Sequence, residues 1–394
     1  MTGRERILAA LRGGEVDRVP VWLLFPYHRT EYYADARVEP SYREVYEAME
    51  AGASVLDRRN LDIPLFAAPV SDRTSERRDG PGPCGAVGAA GGAASAAAGA
   101  ELRERVVGFG GRELRARLRL GDGDSSEKRL LETDDDLDFY LSLPLADDEA
   151  EVAASLEPLL ARYLAERAEF PERLGAMMLD LGEPIVPLYH ASSLLEYPVW
   201  SLTRRDEIAS FLRKAQRHFL AKYRWCLERE LADVYFLVGS ELAAPPMVGP
   251  EAFREWIVPF EKEIVELVHS YGKLVISHFH GQVRELLPAF IEMGADALHT
   301  IESPPVGNCT LARAFEAVRG RMTLIGNVQY DEFRRLDPAS MREAVRALLD
   351  EARGERFVLS PTAGPYERKL SAAMRDNYLA FLAAGEEFGR NWRN

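Results

Sequence analysis

Cysteine is scarce in this chain: Cys84, Cys226 and Cys309 are the only three in 394 residues. They lie far apart and form no Cys-x-x-Cys pair, which argues for reduced thiols and a cytoplasmic protein. Long apolar runs are also missing. No stretch approaches the roughly 18–20 consecutive apolar residues that a membrane-spanning helix needs. The opening MTGRERILAALRGGEVDR is charged throughout and reads as an amphipathic helix, unlike a signal peptide. Positive charge is in deficit, with 49 Lys and Arg against 63 Asp and Glu, a formal net charge of −14. That favours solubility and gives no electrostatic basis for binding nucleic acid. One segment lacks almost every bulky side chain. Residues 79–100, DGPGPCGAVGAAGGAASAAAGA, are nearly all Gly, Ala, Pro and Ser. Such a segment has too little apolar surface to offset the entropy of ordering it, and is expected to be a mobile insertion.

The rest is rich enough in apolar residues, 47 % of the whole, to bury a large core. Its pattern alternates strand and helix. Strands are expected to begin near Val19, Ser54, Glu183, Val234, Lys273, Asp296, Met322 and Phe357, most of them followed by a helix. Eight such units predict an α/β fold, a distorted (β/α)8 TIM barrel making one domain of residues 1–394. Alternating segments on either side of Gly110-Gly111 predict an inserted β-hairpin over residues 101–122.

The stretch that organises the chain is residues 272–302, GKLVISHFHGQVRELLPAFIEMGADALHTIE. It reads as strand, helix, strand. Residues i and i+2 of a strand share a face, so a strand continued to His280 projects the imidazoles of His278 and His280 to one side. Glu302 is expected at the tip of the following strand. Two imidazoles and a carboxylate at neighbouring strand ends have the donor types of an open metal site. The ordinary alternative is one packed and one solvated histidine. Barrel chemistry sits at the C-terminal strand ends, and Tyr27, His28, His190, Glu241, His278, His280, Glu302 and Asn327 are all expected there. Individually, His190 reads equally as a turn cap, Glu241 as a solvated carboxylate and Asn327 as a loop stabiliser.

The segments RERILAALRGGEVDRVPVW, VGPEAFREWIVPFEKEIVELVHSYGKLVISHFHG, GADALHTIE and LIGNV resemble the uroporphyrinogen decarboxylase-fold superfamily. The resemblance spans nearly the whole chain except the Gly/Ala-rich insertion, and implies a distorted (β/α)8 barrel. It implies one of two chemistries: cofactor-free decarboxylation of a porphyrinogen, or zinc-dependent methyl transfer between a small methylated compound or thiol and a corrinoid protein. Decarboxylases carry an arginine-rich RQAGRY-like motif after the first strand. Here that place reads Pro26-Tyr27-His28-Arg29-Thr30-Glu31-Tyr32, with Arg29 its one obvious cation. The histidine of their late pattern is absent from the stretch Leu359 to Gly364. Methyltransferase relatives place His-x-Cys where this chain has His278-Phe279-His280, and a further cysteine near Thr362.

The resemblance therefore implies a metal-dependent demethylase of the methyltransferase branch. In it His278, His280 and Glu302 hold Zn2+, a donor set that also suits other divalent metals. Glu241, His190 and Tyr27 are the expected catalytic groups, with Glu241 also a candidate fourth ligand. Tyr189, His28, Arg29 and Asn327 are expected to bind substrate. A two-histidine, one-carboxylate site suits polarising the oxygen of a methoxy or other methylated substrate better than holding a thiolate nucleophile. The chain has no Asp-x-His-x-x-Gly corrinoid motif, so the corrinoid is expected on a partner protein. The alternatives are a porphyrinogen decarboxylase and a ligand-binding barrel without chemistry.

Overall fold

A computed structural model describes residues 1–30, 34–78, 101–120 and 125–390. The Gly/Ala-rich insertion at 79–100 lies outside the described residues. Seven parallel strands form the central sheet: Val55–Asn60 (β1), Gly175–Asp180 (β2), Val234–Val238 (β3), Leu274–Phe279 (β4), Ala297–Thr300 (β5), Thr323–Val328 (β6) and Phe357–Pro361 (β7). Each strand lies beside its predecessor, so the sheet curls in one direction from β1 to β7. β4 is buried along its whole length, as expected where helices cover one face and the curled sheet encloses the other.

The enclosed face follows strand alternation. Leu56, Met178, Phe236, Ile276, Ala297, Ile325 and Val358 share one cluster with Ile7, Leu8 and Leu11 of the first helix, Gly3–Leu11 (α1). α1 thus closes the bottom of the sheet, at the N-terminal ends of the strands. Two residues further along, the inward positions of four strands turn polar: Arg58 follows Leu56, Asp180 follows Met178, His278 follows Ile276 and His299 follows Ala297, whereas Val238 of β3 stays apolar. The same alternation that fills the bottom with hydrocarbon equips the top with chemistry.

The expected first strand does not form. Residues 20–22 run between the two sheet edges, with Trp22 N–H bonded to Leu359 O at 2.9 Å and Ser54 N–H to Val21 O at 2.8 Å. Only an isolated bridge, Val21 to Leu359, results. Pro20 has no N–H to give, and Leu24 sits at φ 64°, a left-handed conformation that ends an extended run. The strand expected from Glu183 is also displaced. The apolar run Gly175–Asp180 takes that place, and residues 185–191 form a helix, Ile185–Ala191 (α2). Pro184 and Pro187 are poor ladder members but are tolerated at a helix start. Two long helices then pack on the outer face, Arg205–Glu228 (α3) and Val258–Ser270 (α4).

Residues Glu101–Phe109 and Arg112–Leu120 pair across Gly110-Gly111 and belong to a four-stranded antiparallel sheet with Ser71–Arg78 and Ser125–Lys128. The two flanking strands carry polar, charged sequences that gave no strand pattern. Val107 and Leu114 tie this sheet to the main core. Among the described residues no helix is long and apolar enough to cross a membrane. The last helix, Ala372–Gly389 (α5), starts at Ser371, whose Oγ accepts from the Met374 N–H at 3.2 Å. Ser371→Ala is expected to cost about 1 kcal/mol, read from urea denaturation; an unchanged midpoint would show the cap to be idle.

Candidate active site at the strand ends

Two cavities open at the C-terminal ends of the strands. The larger, about 520 Å³, is bounded by the ends of β1, β2 and β3, by α2 and by α3, with Arg58, Asp180, Glu183, His190, Lys222 and Glu241 among its polar walls. The smaller, about 180 Å³, holds His278 and His280 together with Leu24, Phe236 and Tyr366. Arg58, Val238 and Glu241 line both, so the two cavities are neighbours that share a wall.

The register of β4 and β5 puts His278 directly opposite His299. Their Nδ1 atoms are 2.6 Å apart, and His299 Nε2 lies 3.0 Å from Pro361 O. A carbonyl only accepts, so His299 carries its proton on Nε2 and offers a lone pair at Nδ1. His278 must then donate from Nδ1, which leaves the lone pair of its Nε2 without a protein partner among the described residues. Both rings are held neutral. Burial, reinforced by the neighbouring imidazoles, pushes His278 far below the ordinary histidine value, and burial brings His299 to about 3.

His280 stands beside His278 with ring centroids 4.7 Å apart, as the i, i+2 spacing demands. Its Nδ1 faces Glu302 Oε1 at 3.3 Å, and Glu302 Oε2 accepts the Gly281 N–H at 2.8 Å. Burial works against charge on His280, but the Glu302 bond and the field of Glu241 raise its pKa above the usual value. Burial alone would raise Glu302, yet His280 and the Gly281 N–H hold it below the ordinary carboxylate value. Gly307 allows this arrangement, since a Cβ there would meet Glu302 O at 2.1 Å and Gly281 O at 2.7 Å. The result is a neutral imidazole with a free Nε2 beside an imidazole that readily protonates, the pairing from which acid and base roles arise.

The expected metal set does not assemble. His278 and His280 share the smaller cavity, but Glu302 does not line it; it lies behind His280 and is engaged by the ring and by Gly281. Among the described residues no group of three or more His, Cys, Asp or Glu side chains is placed to hold a metal ion. Cys309 is buried, with its thiol near Thr310 O.

The other expected residues divide. Glu241 lines both cavities and accepts the Gly239 N–H at 2.7 Å; burial raises its pKa. His190 lines the larger cavity from α2 rather than from a strand tip. Tyr189, one residue earlier, packs against Tyr197 and lines neither cavity. Tyr27 and His28 lie elsewhere: Tyr27 Oη bonds Glu50 at 2.8 Å, and His28 Nδ1 lies 2.9 Å from Tyr46 Oη. The Arg29 backbone pairs with Asp35. Asn327 donates from Nδ2 to Ile301 O at 2.7 Å, holding the β5 exit. Sequence reasoning missed Arg58, Glu183, Lys222 and His299. Only His299 had a usable signal, a lone histidine inside the apolar run ADALHTI.

Residues 194–368, which supply β3 to β7 with Glu241, His278, His280 and Glu302, match the family described as Uroporphyrinogen decarboxylase (URO-D). No curated protein matches the chain. Among solved structures, the fold is similar to that of a methyltransferase from Methanosarcina mazei, with a TM-score of 0.57 and 16 % identity over 98 % of this chain and 99 % of that one. The C-terminal strands and the histidine pair thus lie in the stretch that matches the URO-D family model, within a fold similar along nearly its whole length to that of the methyltransferase.

Proposed function

We propose that this protein is an enzyme of the URO-D superfamily that moves a methyl group from a small methylated substrate to a corrinoid on a separate protein, on a distorted barrel completed by residues 20–22. The observation that carries this reading is the neutral His278 beside His280, whose pKa Glu302 and Glu241 raise, in the smaller cavity. The methyltransferase likeness of the whole fold supports it. A reduced corrinoid docked at the mouth would supply the electron pair for the new bond to the methyl carbon, as the bond from that carbon to the leaving atom breaks. That atom keeps the bonding pair, and where it needs a proton His280 Nε2 gives one, with Glu302 balancing the charge on the ring. His278 orients the substrate by accepting a hydrogen bond at Nε2. Arg58 and Glu241, shared by the two cavities, place the reacting methyl near His280 while the larger cavity holds the rest of the molecule.

The test is methyl transfer to a reduced corrinoid protein, followed by corrinoid absorbance, with methoxylated aromatics, methylamines and methyl thioethers as donors. Methylation of the corrinoid by at least one donor is expected, and a uniformly silent panel would end the reading. Metal analysis of protein purified without chelator tests the zinc expectation separately. The second reading, cofactor-free decarboxylation, is favoured by the description of the matched family. It requires release of carbon dioxide from a porphyrinogen with no partner protein present.

A further inference from the structure

We propose that the larger cavity recognises a hydroxyl group, held between His218 and Lys222, so that the methylated substrate of this site is also an alcohol or a phenol. The statement about the substrate rests on the methyl-transfer reading; the hydroxyl site does not. Both side chains stand in the wall of the cavity of about 520 Å³. They are four residues apart on α3, which puts them on one face of the helix, a turn apart. His218 is 2 % exposed and Lys222 4 %, so a group that meets them does so inside the cavity.

Each keeps an unused hydrogen-bonding position. His218 Nδ1 lies 2.7 Å from Ala146 O. A carbonyl only accepts, so the ring proton sits on Nδ1 and Nε2 carries a lone pair. Burial brings the pKa of His218 down to about 4, against the pull of the Ala146 bond, so the ring is neutral at neutral pH. Its Nε2 has no donor among the described residues and, unlike the oxygens of Glu183, is open to the cavity. Lys222 Nζ gives one N–H to Leu181 O at 2.8 Å. Burial lowers its pKa, yet charged or neutral the amine retains at least one further N–H. The helix thus shows the cavity an acceptor and a donor side by side, and buried groups of this kind are costly to leave unmet.

This pairing selects among ligand groups. A hydroxyl donates to Nε2 and accepts from Nζ, satisfying both with one oxygen. A carboxylate has no proton for Nε2 and would enter a cavity already walled by Asp62 and Asp180. An ammonium would donate to Nε2 but bring its charge against Lys222. An ether leaves Nε2 unmet, and a methyl group leaves both. The nearby walls suit an apolar body carrying the hydroxyl: Val186, Pro187 and Leu242 line the same space, and the Phe219 ring adjoins that of His218 with centroids 5.3 Å apart. Arg58, Val238 and Glu241 form the wall shared with the cavity of His278 and His280, so the hydroxyl lies at the end of the substrate away from the reacting methyl.

Two pairs of compounds test the site: 4-methoxyphenol against 4-methylanisole, and 3-methoxypropan-1-ol against 1-methoxybutane. Each pair exchanges a hydroxyl for a methyl group. All four are titrated calorimetrically into the full chain with no corrinoid protein present. In at least one pair the hydroxyl compound is expected to bind at least tenfold more tightly, because a site built to hydrogen-bond a hydroxyl leaves its own polar groups unpaired on the analogue. His218→Asn keeps a donor for Ala146 O where Nδ1 stood and deletes the Nε2 acceptor, and is expected to remove most of that preference. Lys222→Met, which keeps the stem, is expected to reduce it as well. Thermal melts of the two variants separate loss of folding from loss of recognition. No preference in either pair would overturn the proposal, as would a preference unchanged in both folded variants. A hydroxyl preference in binding, with no methyl transfer from any hydroxyl-bearing donor, would leave the site standing and count against the reaction. Transfer from 4-methylanisole with no hydroxyl preference in either pair would do the reverse.

Discussion

His278→Ala is expected to lower methyl transfer by about 10²-fold, the size usual when a reacting group loses the contact that positions it. The expectation follows from a chain of hydrogen bonds rather than from the presence of a histidine. Pro361 O fixes the tautomer of His299, His299 fixes that of His278, and the only unengaged ring nitrogen of the three-residue chain then faces the smaller cavity. Alanine removes that acceptor and leaves His299 Nδ1 buried without a donor, at a cost of about 1–3 kcal/mol. A thermal melt of the variant therefore belongs beside the rate. His299→Phe probes the same chain one step back: the Nε2 lone pair of His278 is no longer fixed by its neighbour, so kcat is expected to fall and the pH–rate profile to shift, with the substrate-binding cavity intact. A His278→Ala enzyme within a few-fold of wild type would remove this histidine from the mechanism.

What could be read from the sequence depended on whether local periodicity carried the information. The spacing of His278 and His280 put them on one side of β4 because strand alternation is a property of the backbone alone. The descent from apolar to polar along the inward positions was hidden in β1, where Arg58 and Arg59 looked like the end of a strand rather than its continuation to Asn60. Glu302 was placed at a strand tip, but its orientation depends on the turn through Ile301, at φ 56°, and on the close passage of Gly307. Neither leaves a mark in composition. Tyr27 and His28 were assigned to the site because a first strand was expected to end there. With only a bridge at Val21, the chain leaves the sheet early and carries both side chains to Tyr46 and Glu50. Glu261 was the least legible, since in the helical segment VPFEKEIVELVHS a buried glutamate looks no different from the solvated ones around it.

That buried glutamate carries the second large effect. Glu261 on α4 and Glu183 before α2 are each 1 % exposed and lie against each other, with Ser277 Oγ donating to Glu261 Oε2 at 3.4 Å. Burial raises Glu261 from 4.5 to about 7, and burial together with the charge of Glu261 raises Glu183 well above the usual carboxylate value. A folded-state pKa above the unfolded one means that the native protein holds a proton which the unfolded chain gives up. The associated stability is present in full below about pH 4.5 and is lost as pH rises towards 7. For Glu261 alone the interval corresponds to about 3 kcal/mol. Glu261→Gln keeps the shape, supplies an N–H to Glu183 and removes one of the two charges. The variant is expected to match wild type within about 1 kcal/mol at pH 5, where the carboxyl is protonated, because exchanging one neutral hydrogen-bonding group for another changes little. At pH 8 it is expected to be the more stable protein, by on the order of 3 kcal/mol. Titrating groups outside the Glu183–Glu261 pair, including the His280–Glu302 pair, are common to both proteins, so the difference between their urea-unfolding curves isolates the buried carboxyl pair. Parallel stability–pH curves for the two would mean that the Glu183–Glu261 pair does not hold its proton in the folded state.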